Sequence, residues 1–167
     1  GSSSVNWNTA ANWSLNLVPT SAHDVVIPNN FNVTVNTAAV CKSFTINGGA
    51  QANIITISGA NSITVTNGVS IGAGTGNNDH KRIDVGTGSL TCASVSVTAT
   101  GGANRNSGIT LSTGTVTVSG SISMNDANDV FTFTGAGILN VGGNMSGGTF
   151  TCSTGTVNYN GTTGTQN

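Results

Sequence analysis

Along residues 83–97, apolar positions fall in pairs separated by one polar residue: Ile83 and Val85, Leu90 and Cys92, Val95 and Val97, with a corner at Thr87-Gly88. Period-two alternation marks a strand with one face buried, so this stretch reads as three short strands. The figure returns downstream. Ile109/Leu111 leads through Thr113-Gly114 to Val116/Val118 and Ile122/Met124. Phe131/Phe133 leads through Ala136-Gly137 to Leu139/Val141 and Met145, and Phe150/Cys152 through Thr154-Gly155 to Val157/Tyr159. Upstream, Ile55/Ile57, Ile63/Val65 and Val69/Ile71 fit as well, with Gly59 placed earlier in its corner.

The first residue of the second pair stands at 63, 90, 116, 139 and 157, at intervals of 27, 26, 23 and 18 residues. From second pair to third the step stays at three or four residues, so the variation lies in the connection after the third pair. A constant strand scaffold with one variable corner per turn is the signature of a solenoid. The expected fold is all-β: a right-handed parallel β-helix of about six turns, roughly 30 Å long, its hand set by the bias of parallel crossovers. The first turn is expected from Asp24 to Ile46, as Val25/Ile27, Val33/Val35 and Phe44/Ile46. Pro28-Asn29-Asn30 supplies its turn, because proline cannot pair inside a strand and asparagine tolerates left-handed backbone.

Residues 1–23 break the pattern. They hold Trp7, Trp13 and Pro19, and are expected to cap the open end of the coil, whose bare strand edges would otherwise recruit other strands. An aromatic sugar-binding platform is the competing reading. Gly1–Ser4 read as a linker or a cloning remnant. Residues 24–167 then form the β-helix, whose strand pattern is still running at the end. Two continuations are expected there: further coils of a longer parent, which the truncated repeat favours, or self-association of a second copy through the open C-terminal end.

Composition narrows the partners. Charged residues are 5% of the chain, glutamate is absent, and the net charge of −1 with 4 Lys+Arg offers nothing to neutralise nucleic acid or an anionic membrane. No apolar run approaches the roughly 20 residues of a membrane span, and no stretch reads as a signal peptide. The three cysteines are expected as free thiols. Cys92 and Cys152 sit at inward, buried positions two turns apart, beyond the ~7 Å limit for a disulfide, and Cys41 falls outside the figure, at an exposed position.

The variable corners, 72–82, 98–108, 125–129 and 146–149, carry Asp79, His80, Lys81, Arg82, Arg105, Asp126 and Asp129. This solvated edge is the candidate binding face for a surface glycan or protein ligand, since loops on a rigid scaffold commonly carry recognition. No cofactor is expected. Asn77-Asn78-Asp79 and residues 125–129 offer oxygens to calcium, but neither has the EF-hand spacing or the glycine-rich nonapeptide. His23 and His80 lie too far apart in the chain to suggest zinc. Asp84 is the one acid on a strand face; with Arg105 or Asp126 it makes a thin catalytic group beside the two carboxylates a glycosidase needs. The chain therefore reads as non-enzymatic. On the second strands the outward residues Ser62, Thr64, Thr66, Ser89, Thr91, Thr115, Thr117, Ser119, Thr156, Asn158 and Asn160 stack as a ladder of short hydroxyl and amide side chains, made irregular by Ala93 and Asn140. Such ladders resemble the ice-binding faces of some antifreeze proteins, although threonine also simply suits an exposed strand.

Asn12-Trp13-Ser14, Val18-Pro19-Thr20, residues 24–28 (Asp-Val-Val-Ile-Pro), Val33-Thr34-Val35 and residues 43–46 (Ser-Phe-Thr-Ile) follow one another as an opening phrase. Together with Gly155-Thr156-Val157-Asn158-Tyr159-Asn160-Gly161 and Gln166, this resembles the β-helical regions of large secreted, adhesin-like surface proteins of the Bacteroidota, many exported by the type IX route. A fainter similarity links the Trp, Val-Pro and Asp positions to the G8 domain of surface proteins. The resemblance implies an extracellular or cell-surface location and a role as adhesin, stalk or filament segment. It carries over no catalytic residue. Carbohydrate binding or polysaccharide processing is the alternative.

Overall fold

A computed structural model of the chain describes residues 5–98, 102 and 104–161, so Gly1–Ser4 and the last six residues lie outside the described part. Strand β1 (Asp24–Ile27) leads into five complete turns. They are β2 (Val33–Val35), β3 (Ala39–Cys41) and β4 (Ser43–Ile46); β5 (Asn53–Ile57) and the long β6 (Ser62–Ile71); β7 (Lys81–Val85) and β8 (Ser89–Val97); β9 (Ser107–Leu111), β10 (Thr115–Val118) and β11 (Ile122–Met124); β12 (Asp129–Phe133), β13 (Ile138–Val141) and β14 (Met145–Ser146). A partial turn, β15 (Thr149–Thr151) and β16 (Thr156–Tyr159), follows. β6 and β8 each run across two faces of the coil.

All pairing between these strands is parallel, in a six-stranded sheet of β2, β5, β7, β9, β12 and β15 and a ten-stranded sheet that wraps the other two faces. Three apolar columns line the interior. Val33, Ile55, Ile83, Ile109, Phe131 and Phe150 stack in register on the first face. Ala39, Ile63, Leu90, Val116, Leu139 and Val157 stack on the second. Val25, Phe44, Val69, Val95, Ile122 and Met145 stack on the third. The positions 63, 90, 116, 139 and 157 are thus register partners, and the solenoid is as the spacing required. One irregularity, between Val65 and Gly68, absorbs the difference between the four-residue step from Val65 to Val69 and the three-residue step from Cys92 to Val95 in the next turn.

Two expectations about the first turn change. Val25/Ile27 pairs with Phe44/Ile46, so both pairs lie on one face in successive turns, and the turn count falls to about five. The missing second-face pair is Ala39/Cys41, in register with Ile63/Val65. Here the inward residues are small and the outward one, Val40, is apolar, which erases the alternation; Cys41 is therefore buried rather than exposed. Cys152 shows the reverse. It follows β15 in the last described turn, where no coil among the described residues covers it, and it is exposed instead of buried. All three cysteines are free, with burial pushing the thiols of Cys41 and Cys92 up to about 12.

The N-terminal segment closes its end through Trp7, which is fully buried, 6.0 Å from the Phe44 ring and 4.8 Å from Trp13 in an edge-on pair. A backbone bridge holds it down: Trp7 N–H donates to Thr34 O at 2.8 Å, and Thr34 N–H donates to Val5 O. Trp13 Nε1 donates to Trp7 O at 2.8 Å. The buried Trp7 ring is not available as a sugar platform, whereas Trp13 is partly exposed.

Candidate functional site

The first-face strands β5, β7, β9 and β12 open on a polar residue with the same parity as their apolar pairs. Asn53, Lys81, Ser107 and Asp129 precede 55/57, 83/85, 109/111 and 131/133 by two residues, so their side chains point inward. All four are completely buried. Asn53 is the register partner of Lys81, and Ser107 of Asp129. A polar column thus runs inside the solenoid along the edge expected to be solvated, and Lys81 and Asp129 belong to it. Burial drives this: an inward position whose apolar neighbours are covered above and below has no route to water.

Lys81 is the centre of the upper half. Its ammonium donates to Asn29 Oδ1 at 2.7 Å, to Asn53 Oδ1 at 2.7 Å and to the backbone oxygen of Gln51, matching its three N–H groups with three acceptors. Asn53 in turn donates to Pro28 O and Phe31 O, and its Oδ1 also accepts from Asn30 N–H. The corners of three successive turns are joined at one buried cation. Burial pulls the lysine pKa below its ordinary value, partly offset by the nearby Asp79 carboxylate.

Asp129 anchors the lower half. Its Oδ2 accepts from Asn125 N–H at 2.8 Å and Asp126 N–H at 3.0 Å, while Oδ1 and the neighbouring Ser107 hydroxyl are buried without partners. Burial raises its pKa; the two N–H donors oppose the rise, and the Asp126 charge adds to it. Asp126 Oδ1 accepts from Asn128 N–H and Nδ2–H, closing the loop on itself. Asp79 is also buried and accepts from Gly76 N–H in the corner that carries Asn78 at φ 61°. In both loops considered for calcium, carboxylate oxygens are thus engaged by the loop's own donors. No group of three metal-ligating side chains gathers among the described residues.

The other members of the edge are partly accessible. His80 Nδ1 accepts from Asn106 N–H at 3.1 Å and links two corners. Arg82 lies outward with Nε 4.0 Å from Asp84 Oδ1. Arg105 lies in the corner before β9, its backbone N–H bonded to Gly102 O. Of the seven residues, Asp79, Lys81 and Asp129 are buried, whereas His80, Arg82, Arg105 and Asp126 are partly accessible along the edge. The period-two rule extended by one period, two residues, upstream would have placed Lys81 and Asp129 inside; their charge argued for the corner instead.

Outward columns are short and polar. On the first face Thr34, Thr56, Asp84, Thr110, Thr132 and Thr151 are successive register partners. On the second face, Val40, Thr64, Thr91, Thr117, Asn140 and Asn158 follow one another. There Asn140 Nδ2 donates to Thr117 Oγ1 and Asn158 Nδ2 to Asn140 Oδ1, so the amides zip along the axis. Ile138 further interrupts the parallel column of Ser62, Ser89, Thr115 and Thr156. The hydroxyl ladder is therefore irregular on the face for which ice binding was considered.

A cleft of about 910 Å³ lies at the N-terminal end, running along β1 between the capping segment (Trp13, Leu15, Leu17) and the turn at Phe31. At the opposite end a smaller depression of about 340 Å³ is lined by Met124, Met145, Phe150, Val157 and Tyr159.

A family model described as a domain of unknown function (DUF8693) matches residues 1–79, the capping segment and the first two turns. No curated protein and no solved structure matches the chain.

Proposed function

We propose that the protein is a non-catalytic, extracellular module of a cell-surface or secreted protein, serving as an adhesin, stalk or filament segment. The observation that carries this reading is where the charge goes. Lys81 and Asp129, two of the nine charged side chains, are wholly buried, and Lys81 binds successive corners together. Apart from Asp24, Lys42, Arg82 and Asp84, the outer strand faces carry mostly short neutral side chains. A coil whose turns are joined by parallel ladders on every face, with charged clasps inside, resists bending and stretching. That suits a spacer that must hold a shape outside the cell.

A second reading, carbohydrate recognition, is favoured by one feature. Asp84 sits within the outward threonine column of the first face with Arg82 beside it on the same strand, where hydroxyl, carboxylate and guanidinium groups could meet sugar hydroxyls. Antibodies against the chain should label intact cells of its source as strongly as permeabilised ones. Labelling that requires permeabilisation refutes the surface reading. Binding on a glycan array that is lost in Asp84→Ala would favour the second reading over a purely mechanical role.

A further inference from the structure

Inside the polar column, a primary amine and a carboxamide are held against each other away from water. Asn53 and Lys81 open β5 and β7 as register partners, and both are completely buried. The lysine nitrogen lies 2.7 Å from the Asn53 Oδ1, one bond from an electrophilic carbon. Lys42 shows the ordinary surface arrangement instead. It is exposed and pairs at 3.4 Å with the Asp24 carboxylate, whose carbon is not electrophilic.

The surroundings of the Asn53 amide suit acyl transfer. Its Oδ1 also accepts from Asn30 N–H at 3.2 Å, a fixed donor aimed at the oxygen where negative charge would gather. Its Nδ2 donates to Pro28 O at 2.6 Å and Phe31 O at 2.8 Å, two acceptors that would hold a departing ammonium. Asn29, also 2.7 Å from the lysine nitrogen, is less prepared: its Nδ2 reaches one carbonyl, Ala50 O, at 3.4 Å. Fixing both reactants in one site replaces a chance collision by a step within the chain. Burial lowers the lysine pKa, which brings the nucleophilic neutral amine within easier reach than on a surface lysine. The buried Asp79, whose charge acts on Lys81, is a base for the proton given up.

We propose that Lys81 and Asn53 join in an isopeptide bond that staples successive turns of the coil from inside. Nζ, as the neutral amine, attacks Cγ of Asn53, and the carbonyl π pair moves onto Oδ1 against Asn30 N–H. A proton passes from Nζ to Nδ2, the Cγ–Nδ2 bond breaks, and the oxygen pair re-forms the carbonyl. One ammonia leaves and takes up the proton that Lys81 first gave up, so the sum is ammonium plus amide to secondary amide plus ammonium ion. No oxidant, cofactor or second substrate enters. The driving force is electrostatic: a buried cation, costly to desolvate, is exchanged for a neutral amide, and the charge departs with the ammonium. A single N–H on the oxyanion makes the step slow, so a fresh chain carries the hydrogen-bonded clasp and the bond closes on standing.

The test keeps the whole folded chain in mildly alkaline buffer, then denatures it and cuts before aspartates. Without the bond, cleavage before Asp79 and Asp84 separates residues 24–78 from residues 79–83. With it, the two fragments stay joined, at a combined mass lower by one ammonia, and tandem mass spectrometry places the link on Asn53 and Lys81. The Lys81→Met chain, its fold checked by circular dichroism, should give separate fragments, as should unmodified chain held in urea throughout. Complete separation of the fragments from folded, aged, unmodified chain overturns the proposal. A link at Asn29 overturns it too, as do joined fragments from Lys81→Met or from the urea-held chain. A chain without the bond can still be a rigid surface module, so cell labelling decides that question separately.

Discussion

Replacing Lys81 by methionine separates a structural lysine from a surface one. Methionine keeps most of the apolar stem in its buried slot but removes the ammonium that Asn29, Gln51 and Asn53 share. Hydrogen bonds from a charged donor contribute about 1.5–3 kcal/mol each. Three of them are set against the desolvation of a buried cation, which costs several kcal/mol, so the intact clasp is close to balanced. Burial lowers the lysine pKa, outweighing the pull of Asp79. What decides the outcome is the acceptors left behind. Asn29 is half-buried with an amide that can turn toward water, and the Gln51 acceptor is a backbone oxygen on an exposed residue, while Asn53 is fully buried and keeps Asn30 N–H alone on its oxygen. One buried acceptor largely stranded and two partly stranded give a loss of about 2 kcal/mol. For a chain of this size that lowers the melting temperature by roughly 4–8 °C. Thermal and urea unfolding followed by circular dichroism measure it. A change within about 0.5 kcal/mol, typical of surface substitutions, would refute the clasp and return Lys81 to the list of exposed binding residues.

Other outcomes follow from the same geometry. Val118→Asp places a charge at a position 1% exposed on the second face and should abolish folding or cost several kcal/mol; unchanged melting would contradict the register. A chromogenic thiol reagent should modify one cysteine, Cys152, in the folded protein and all three in denaturant, since Cys41 and Cys92 are buried with thiols pushed up to about 12; rapid reaction of two or more in the native state would disprove this burial. Asp129 has a folded pKa above its ordinary 3.8, so folding takes up a proton between the two values and this group's contribution falls as pH rises through the folded one. Asp129→Asn keeps an acceptor for Asn125 and Asp126 N–H without the buried charge. It should match or exceed the parent's stability at pH 7, with the advantage shrinking toward pH 3.8; an advantage that grows on acidification would reverse the sign of the shift.

Much of the coil was legible because period-two alternation and constant offsets are local properties of the chain. Once Ile63, Leu90, Val116, Leu139 and Val157 are aligned, the parallel register on that face follows without knowing any distance. The candidate site was less legible. Its seven residues were picked by charge and by nearness to variable corners, and charge is a poor guide where a corner's own N–H groups and amides can satisfy a buried ion. Asp126 and Asp129 serve donors three residues away or fewer in one case, and within four in the other, which nothing in their spacing to other acids could reveal.

What the order of residues determined alone was the repeating unit: three strands per turn, inward pairs, and one connection free to vary. Those features need only steric alternation and hydrophobic burial within each short strand. Tertiary structure decided how the ends and edges are used. Whether Cys41 is inside and Cys152 outside depends on which turn has another turn above it. Whether Lys81 is solvent or scaffold depends on three acceptors contributed by two earlier turns, at positions 29, 51 and 53. Stacking brings residues about one turn apart in the chain to ~4.8 Å, and only at that range can a neighbouring coil supply a lid, a partner or a buried oxygen.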